Sequence, residues 1–331
     1  MRKNIRTDLA MEAREFFFET AEEQAENREI CGVETKIFKD GDDITVTKVF
    51  IKDEEGEKAL GKKSGTYITF EFPKDFLGYN NLTQRLIKLC AEEIKNLIGK
   101  TQPKTTLVIG LGNRNITADA LGPKTVEGVL ATRHLIKYMP EEIDERITAV
   151  AAVSPGVLGL TGIETGEIIC GMCQNIKPDL IIAVDALCAR KVQRINSTIQ
   201  ISDTGIVPGA GVGNKRMALN KETLNVPVIA VGIPTVVDAA TVAGDTFELI
   251  LDNLLKNAQT NEGLYKILKV IKSEDNEALI FNTLSPSNEN FIVTPKEIDE
   301  AVMRLSKIIS DGINLALHRG LTLSELEVFK F

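Results

Sequence analysis

Histidine is nearly absent from this sequence, which has only His134 and His318 among its 331 residues. Neither has a second histidine or a carboxylate at the spacing of a metal site, and the HExxH motif of zinc peptidases is missing. A serine or cysteine nucleophile of the usual kind needs a histidine base, and only these two residues offer one. We therefore expect two structural histidines and no bound metal, with carboxylates as the default acids and bases.

Cysteine is also scarce, with five residues in the chain. This odd and low number excludes a disulfide-framed fold and indicates a reducing compartment. Cys170 and Cys173 form one CxxC motif. A single pair without a second pair or a histidine predicts two buried thiols rather than a metal site.

Long apolar runs and an excess of positive charge are missing as well. No stretch reaches the ~18 apolar residues that span a bilayer, and the N-terminus lacks the apolar segment of a secretory signal. With 39 Lys and Arg against 47 Asp and Glu, the net charge is -8, so no general basic field would gather nucleic acid. The proportions of 43% hydrophobic and 26% charged residues exclude disordered and collagen-like chains. We expect a cytoplasmic globular protein with no membrane or direct nucleic-acid partner.

Four nearly unbroken apolar runs dominate the rest of the chain. They are TTLVIGLG from 105, ITAVAAVSPG from 147, DLIIAVDAL from 179 and VPVIAVGIP from 226. Turn residues bound each run and helical patterns follow most of them, which is typical of parallel strands buried on both faces. The pattern predicts an α/β fold with three α/β/α layers and a mostly parallel sheet.

The region 30–75 has a different pattern. The segment VETKIFKDGDDITVTKVFIK alternates apolar and polar residues on either side of a DGDD turn, and GTYITFEF at 65–72 resembles a further strand. We interpret 30–75 as a β-hairpin appendage to the sheet rather than a separate domain. The length alone allows about two domains or one large α/β unit.

Three aspartates lie where a site is expected, because ligands of open parallel sheets bind beyond the carboxyl ends of the strands. Asp119 follows the first run in GLGNRNITADALGPK, Asp185 ends the third, and Asp238 follows the fourth. Neighbouring strands lie ~4.8 Å apart, so Asp119 and Asp185 can meet over one peptide. One carboxyl group would keep a proton while the other activates water.

Simpler roles remain open for the same residues. Each aspartate is also placed where a helix N-cap occurs, and spacing does not choose among the three. The glycine-rich GLGNRN lacks the third glycine of a dinucleotide fingerprint, since Asn115 stands there. The stretch PGAGVGNKR at 208–216 has glycines and basic residues that suit an anion, but it lacks the order of a P-loop.

Five segments carry a family resemblance: RTDLAMEA, LGNRNITADALGPKT, AVSPGVLGLTGIETGEI, IIAVDALCAR and TGIVPGAGVGNKR. Together they resemble the spore germination proteases, endopeptidases that degrade small acid-soluble spore proteins. The resemblance implies two essential aspartates, at Asp119 and Asp185, and no cofactor. It also implies a fold similar to hydrogenase-maturation peptidases and purine nucleoside phosphorylases.

The resemblance further implies an inactive zymogen that forms a homotetramer in the spore core and processes itself. In this sequence the motif TDLA places the cut between Asp8 and Leu9, which gives a propeptide of residues 1–8 and a single peptidase domain of 9–331. The alternatives are a nucleoside phosphorylase-like transferase with phosphate on GAGVGNKR, a metal-dependent maturation peptidase on the same fold, and a non-enzymatic binding protein.

An acidic residue before the cut needs a cation nearby, because burying an unpaired carboxylate is costly. Arg114 precedes Asp119 in its loop, and Arg190 follows Asp185 beyond the strand. Arginine suits this task since its planar fork binds a carboxylate in a bidentate manner. We therefore predict that Arg114 and Arg190 bind the substrate.

Overall fold

The computed structural model describes residues 7–20, 30–75, 80–100, 102–208, 217–258, 261–273, 280, 283–284 and 291–329. The strands are β1 Val33–Asp40, β2 Ile44–Ile51, β3 Gly65–Glu71, β4 Thr105–Gly110, β5 Ala149–Val153, β6 Leu180–Ala189, β7 Thr198–Ser202, β8 Val228–Asp238 and β9 Ile292–Val293. The helices are α1 Ala10–Thr20, α2 Glu54–Leu60, α3 Asn80–Ile98, α4 Leu121–Glu127, α5 Arg133–Tyr138, α6 Leu158–Thr161, α7 Thr165–Ile176, α8 Lys221–Leu224, α9 Ala239–Asn257, α10 Glu262–Ser273, α11 Ile298–Leu317 and α12 Leu323–Phe329. Short 3-10 turns cover Thr117–Asp119, Pro140–Glu142 and Val192–Arg194.

The strands form one sheet in the order β1-β2-β3-β7-β8-β6-β4-β5, with β9 beside β8. The four apolar runs became β4, β5, β6 and β8, which pair in parallel as predicted. The other pairings are antiparallel. The sheet is therefore mixed. Strands β5, β4, β6 and β8 form a parallel half, and β7, β3, β2 and β1 continue the sheet from β8 as an antiparallel half.

The region 30–75 supplies much of the antiparallel half. Strands β1 and β2 form the predicted hairpin around the DGDD turn. Strand β3 then pairs with β7, with Tyr67 opposite Ser202 and Phe70 opposite Ile199. Because β7 also pairs with β8, the region predicted as an appendage continues the main sheet.

Two separate cores lie on opposite faces of the parallel strands. Val108 and Ile182 belong to a core that includes residues of α3 and α11, whereas Leu107 and Ile181 belong to a core with α7 and α8. Successive side chains of a strand point to opposite faces, so the apolar residues of these runs pack against apolar neighbours on both sides of the sheet. This explains why the runs are apolar throughout rather than alternating.

The two histidines differ in their exposure. His134 is exposed on α5. His318 directly follows α11, is fully buried, and its Nδ1 accepts a hydrogen bond of 3.2 Å from the N–H of Thr148. None of the described helices has the length and apolar character to cross a membrane.

Candidate active site

Asp185 lies on β6 at the point where the neighbouring strand β4 ends. The last paired residues of the two strands are Gly110 and Val184, and Asp185 is the next residue of β6. Its side chain is buried, and its Oδ1 accepts a hydrogen bond of 2.9 Å from the N–H of Ala186. Strand β6 continues to Ala189, so Asp185 is inside the strand and not at its end. That position follows from the length of β6 and excludes a helix-capping role.

Asp119 ends the 3-10 turn in the loop after β4. Its Oδ2 accepts a hydrogen bond of 2.7 Å from the N–H of Asn113, which folds the loop back on itself. Gly112 makes this possible, because its φ is 109° and a Cβ there would lie 2.0 Å from the carbonyl O of Asp119. Gly112, the second glycine of GLGNRN, is therefore required for the fold of the loop around Asp119.

Asp119 and Asp185 line the same cavity, which has a volume of about 340 Å³. Leu111, Leu187, Thr235 and Ile292 are among its other lining residues. The hydroxyl of Thr235 donates a hydrogen bond of 2.6 Å to the carbonyl O of Ala118, which fixes the loop of Asp119 to β8. The tertiary structure thus brings the two predicted aspartates to one cavity.

Asp238, the third aspartate, caps a helix. It is the N-cap of α9, and its Oδ1 accepts a hydrogen bond of 2.9 Å from the N–H of Thr241. The capping alternative is confirmed for this residue. Asp119 differs, since the residue that precedes α4 is Ala120.

The N-terminal segment enters this cavity, and Asp8 is one of its lining residues. The N–H of Asp8 donates a hydrogen bond of 2.9 Å to the carbonyl O of Cys188, and the N–H of Cys188 donates one of 2.8 Å to Oδ2 of Asp8. Cys188 belongs to the part of β6 beyond its last pairing with β4. The segment is therefore held against β6 by one hydrogen bond between main-chain groups and one to the Asp8 carboxylate.

The peptide bond between Asp8 and Leu9 is held on both sides by Gln200 of β7. The Nε2 of Gln200 donates a hydrogen bond of 3.1 Å to the carbonyl O of Asp8, and its Oε1 accepts one of 2.8 Å from the N–H of Ala10. The side chain of Leu9 is fully buried in an apolar cluster with Leu187. This bond is consequently fixed at the edge of the cavity that holds both aspartates.

Glu12 anchors the helix that follows the segment. Its buried carboxylate accepts hydrogen bonds of 2.7 Å from the N–H of Arg190 and 2.9 Å from the N–H of Lys191, and it forms an ion pair with Arg194 at 3.2 Å. It also accepts a hydrogen bond from the hydroxyl of Thr7. These contacts fix α1, and with it residues 7–10, on the turn after β6.

Burial dominates the electrostatics of Asp8 and raises its pKa, with an opposing effect from the charge of Lys62. The Nζ of Lys62 donates a hydrogen bond of 2.9 Å to the carbonyl O of Thr7. Burial, with the charges of Asp8 and Asp238, raises the pKa of Cys188 to about 12. The Cys188 thiol therefore stays protonated near neutral pH and is a poor nucleophile.

The structure places Arg114 and Arg190 against other carboxylates. Arg114 is exposed and forms an ion pair of 2.8 Å with Glu127. Arg190 forms ion pairs of 2.8 Å with Asp245 and 3.0 Å with Glu19. Neither arginine is among the lining residues of the described cavity, so the contacts do not bring them to Asp8. Their role in substrate binding stays a prediction.

Sequence reasoning missed Lys62 and Gln200. Lys62 lies in the turn between α2 and β3, within GKKSG, where a lysine is unremarkable. Gln200 is a buried amide inside the short strand TIQIS. The one signal in the sequence was a polar residue at a buried strand position, and this signal does not show which group forms a hydrogen bond with Gln200.

Cys170 and Cys173 lie on α7, and both are partly exposed free thiols, so the prediction that they are buried is wrong. Across the part of the chain that the structure describes, no three His, Cys, Asp or Glu side chains converge as metal ligands do. Residues 209–216, which contain most of the predicted anion-binding stretch, lie outside the described residues.

Comparisons with known proteins agree with one another. The sequence profile of a family described as Germination protease matches residues 10–273 and 255–330. Germination proteases of Clostridium acetobutylicum and Clostridium tetani are 49% and 48% identical to this chain, over 98% of its length and 99% of theirs. That of Bacillus mycoides is 40% identical over 95% of this chain and 94% of its own.

A solved [NiFe] hydrogenase maturation protease of Thermococcus kodakarensis covers 43% of this chain and 80% of its own, at 19% identity and a TM-score of 0.29. That similarity is too low to support an argument. The family profile and the curated relatives, in contrast, extend over nearly all of the chain. This chain therefore belongs to the germination protease family and is a peptidase.

Proposed function

We propose that this germination protease is an aspartic-type endopeptidase in which Asp119 and Asp185 act together on one water molecule. The observation that carries the proposal is the shared cavity, which is lined by both aspartates and by Asp8 of the docked segment. Asp119 lies in the loop after β4, Asp185 lies on β6 just beyond its last pairing with β4, and Gln200 contacts the peptide bond after Asp8. Carboxylates and a peptide bond in one cleft are the components of this reaction.

The chemistry requires the two carboxyl groups to hold different protonation states. Because two nearby carboxylates repel each other, one keeps its proton while the other is ionised. The ionised group removes a proton from water as the oxygen attacks the carbonyl carbon, and the protonated group supplies a proton that leaves with the amine. The C–N bond breaks, and no cofactor or metal takes part in this scheme.

The same site would perform self-processing. Asp8 of the chain's own N-terminal segment lines the cleft, and Gln200 holds the bond between Asp8 and Leu9. Cleavage there would release residues 1–8 as a propeptide and leave a peptidase domain of residues 9–331. Until then the segment would occupy one wall of the cleft and hinder an added substrate, as expected of an inactive zymogen.

The substrates we propose are small acid-soluble spore proteins in the cytoplasm of the spore core, cleaved by a homotetramer. The support is the name of the family and the full-length similarity to proteins called germination proteases. A cleft that holds a TDLA segment would also take an added peptide that has an acidic residue followed by a large apolar residue and alanine.

Incubation of the purified chain with one small acid-soluble spore protein tests this function, with mass spectrometry of the products. We expect cleavage after one acidic residue. Parallel reactions with a chelator, and with a nucleoside plus phosphate, test the metal-dependent and transferase alternatives. Intact spore protein together with phosphate-dependent release of a base would overturn the proposal.

A further inference from the structure

The residue before the proposed cut has a binding subsite that the family resemblance did not indicate. We propose that Lys62 and Gln200 form this subsite, in which Lys62 selects an acidic side chain and Gln200 holds the main chain on both sides of the scissile bond. The inference rests on the proposed function, because it takes residues 7–10 as a substrate bound in place. It assigns substrate recognition to two residues far apart in the sequence.

The contacts of Gln200 suit a peptide of any sequence. A side-chain amide both donates and accepts, and here it donates to the carbonyl O of Asp8 and accepts from the N–H of Ala10. These two groups flank the bond between Asp8 and Leu9. Gln200 is 8% exposed, so its amide has little freedom to turn away. A donor on the carbonyl oxygen would also stabilise the negative charge that develops there when water attacks.

The contacts of Lys62 explain a preference for acid. The cavity already contains the carboxylates of Asp119 and Asp185, and Glu12 also acts electrostatically on Asp8. A further carboxylate would be repelled there unless a cation offset the repulsion. Burial lowers the pKa of Lys62, whereas the nearby charges of Asp8 and Glu12 favour its charged form. When protonated, Lys62 supplies that charge, and its Nζ is fixed by a 2.9 Å hydrogen bond to the carbonyl O of Thr7. The N–H of Cys188 provides a second partner for the same carboxylate.

Amide hydrogen exchange of the full chain tests the subsite without catalysis. With Asp119→Asn as a background that prevents cleavage, we expect Lys62→Met and Gln200→Leu each to speed exchange at the amides of Asp8 and Ala10 by about tenfold or more. Lys63→Met and Gln193→Leu are matched controls, since they make the same substitutions at exposed positions. Unchanged exchange in the Lys62 and Gln200 variants would overturn the inference.

A double-mutant cycle on self-cleavage separates recognition from a merely structural role. We expect Asp8→Asn to slow cleavage by about tenfold or more when Lys62 is present, and to have no further effect in Lys62→Met. If Lys62 had only a structural role, Lys62→Met would slow cleavage of the Asp8 chain and of the Asp8→Asn chain by the same factor. The ratio of their rates would then stay unchanged, which would contradict the inference. If the unchanged chain does not cleave itself, the self-processing part of the proposed function fails, while the exchange rates still decide the subsite.

Discussion

Asp8 and Cys188 are joined by two hydrogen bonds, one of 2.9 Å from the N–H of Asp8 to the carbonyl O of Cys188 and one of 2.8 Å from the N–H of Cys188 to the Asp8 carboxylate. The pair forms on the stretch of β6 that β4 does not reach. A strand that extends beyond its neighbour has main-chain N–H and C=O groups on that side to which an extended peptide can form hydrogen bonds. The same overhang carries Asp185, so peptide binding and the proposed chemistry share one structural origin.

The proposed aspartates are tested by Asp119→Asn and Asp185→Asn. Each amide keeps the shape of the side chain but removes its titrating proton, and we expect a rate loss of ~10² to 10⁴ in cleavage of an added spore protein. Thermal unfolding should be nearly unchanged. Asp238→Asn is the matched control, because an asparagine still caps α9, and it should retain activity. Near-normal turnover in either of the first two variants would contradict the proposed dyad.

The proposed processing site is tested by sequencing the N-terminus of the chain after incubation. We expect the processed form to begin at Leu9, because Gln200 holds the bond before it at the cavity. The Asp185→Asn chain should keep its original terminus under the same conditions. A terminus at another residue, or processing that requires an added protease, would show that the docked segment is not the substrate.

Gly112 should be required for the position of Asp119. In Gly112→Ala the new methyl group would lie 2.0 Å from the carbonyl O of Asp119, at a φ of 109° that alanine rarely adopts. We expect a loss of activity larger than the loss of stability explains. Gly99→Ala is a matched control, since Gly99 also has a positive φ but open space around it, and it should cost about 1 to 2 kcal/mol in the free energy of unfolding without affecting turnover. Equal activity of the two variants would contradict this account.

His318 should make the stability of the fold depend on pH. Burial lowers its pKa from 6.5 to about 4, so between these values the unfolded chain binds a proton that the folded chain excludes. The free energy of unfolding should therefore fall as the pH drops through this window, by up to about 3 kcal/mol. In His318→Asn, whose amide oxygen can still accept from the N–H of Thr148, this part of the pH dependence should vanish. Denaturant unfolding of both chains between pH 4 and 7 measures the free energy of unfolding at each pH. If this free energy changed with pH by the same amount in both chains, His318 would not titrate in this way.

Much of the parallel half of the fold could be predicted from the sequence. The stretch LIIAV of β6 is apolar at every position because both faces of the strand are covered, and this is a local property of the chain. Parallel strands also bring their carboxyl ends to one edge, which is why the sequence pattern makes Asp119, Asp185 and Asp238 candidates. The capping role of Asp238 had the same local pattern, so the sequence could not separate it from the other two.

Relations between distant segments were decided by the tertiary structure alone. The pairing of β3 with β7, which joins 30–75 to the sheet, depends on strand edges that no local pattern describes. The ion pairs of Arg114 with Glu127 and of Arg190 with Asp245, and the electrostatic effect of Lys62 on Asp8, depend on how distant segments pack. The spacing of apolar residues reflects which face of an element is buried, and this spacing can be read directly from the local sequence. Which polar groups meet is set by how separate elements pack, and a hydrogen bond such as that between Gln200 and Asp8 exists only once β7 and the N-terminal segment are side by side.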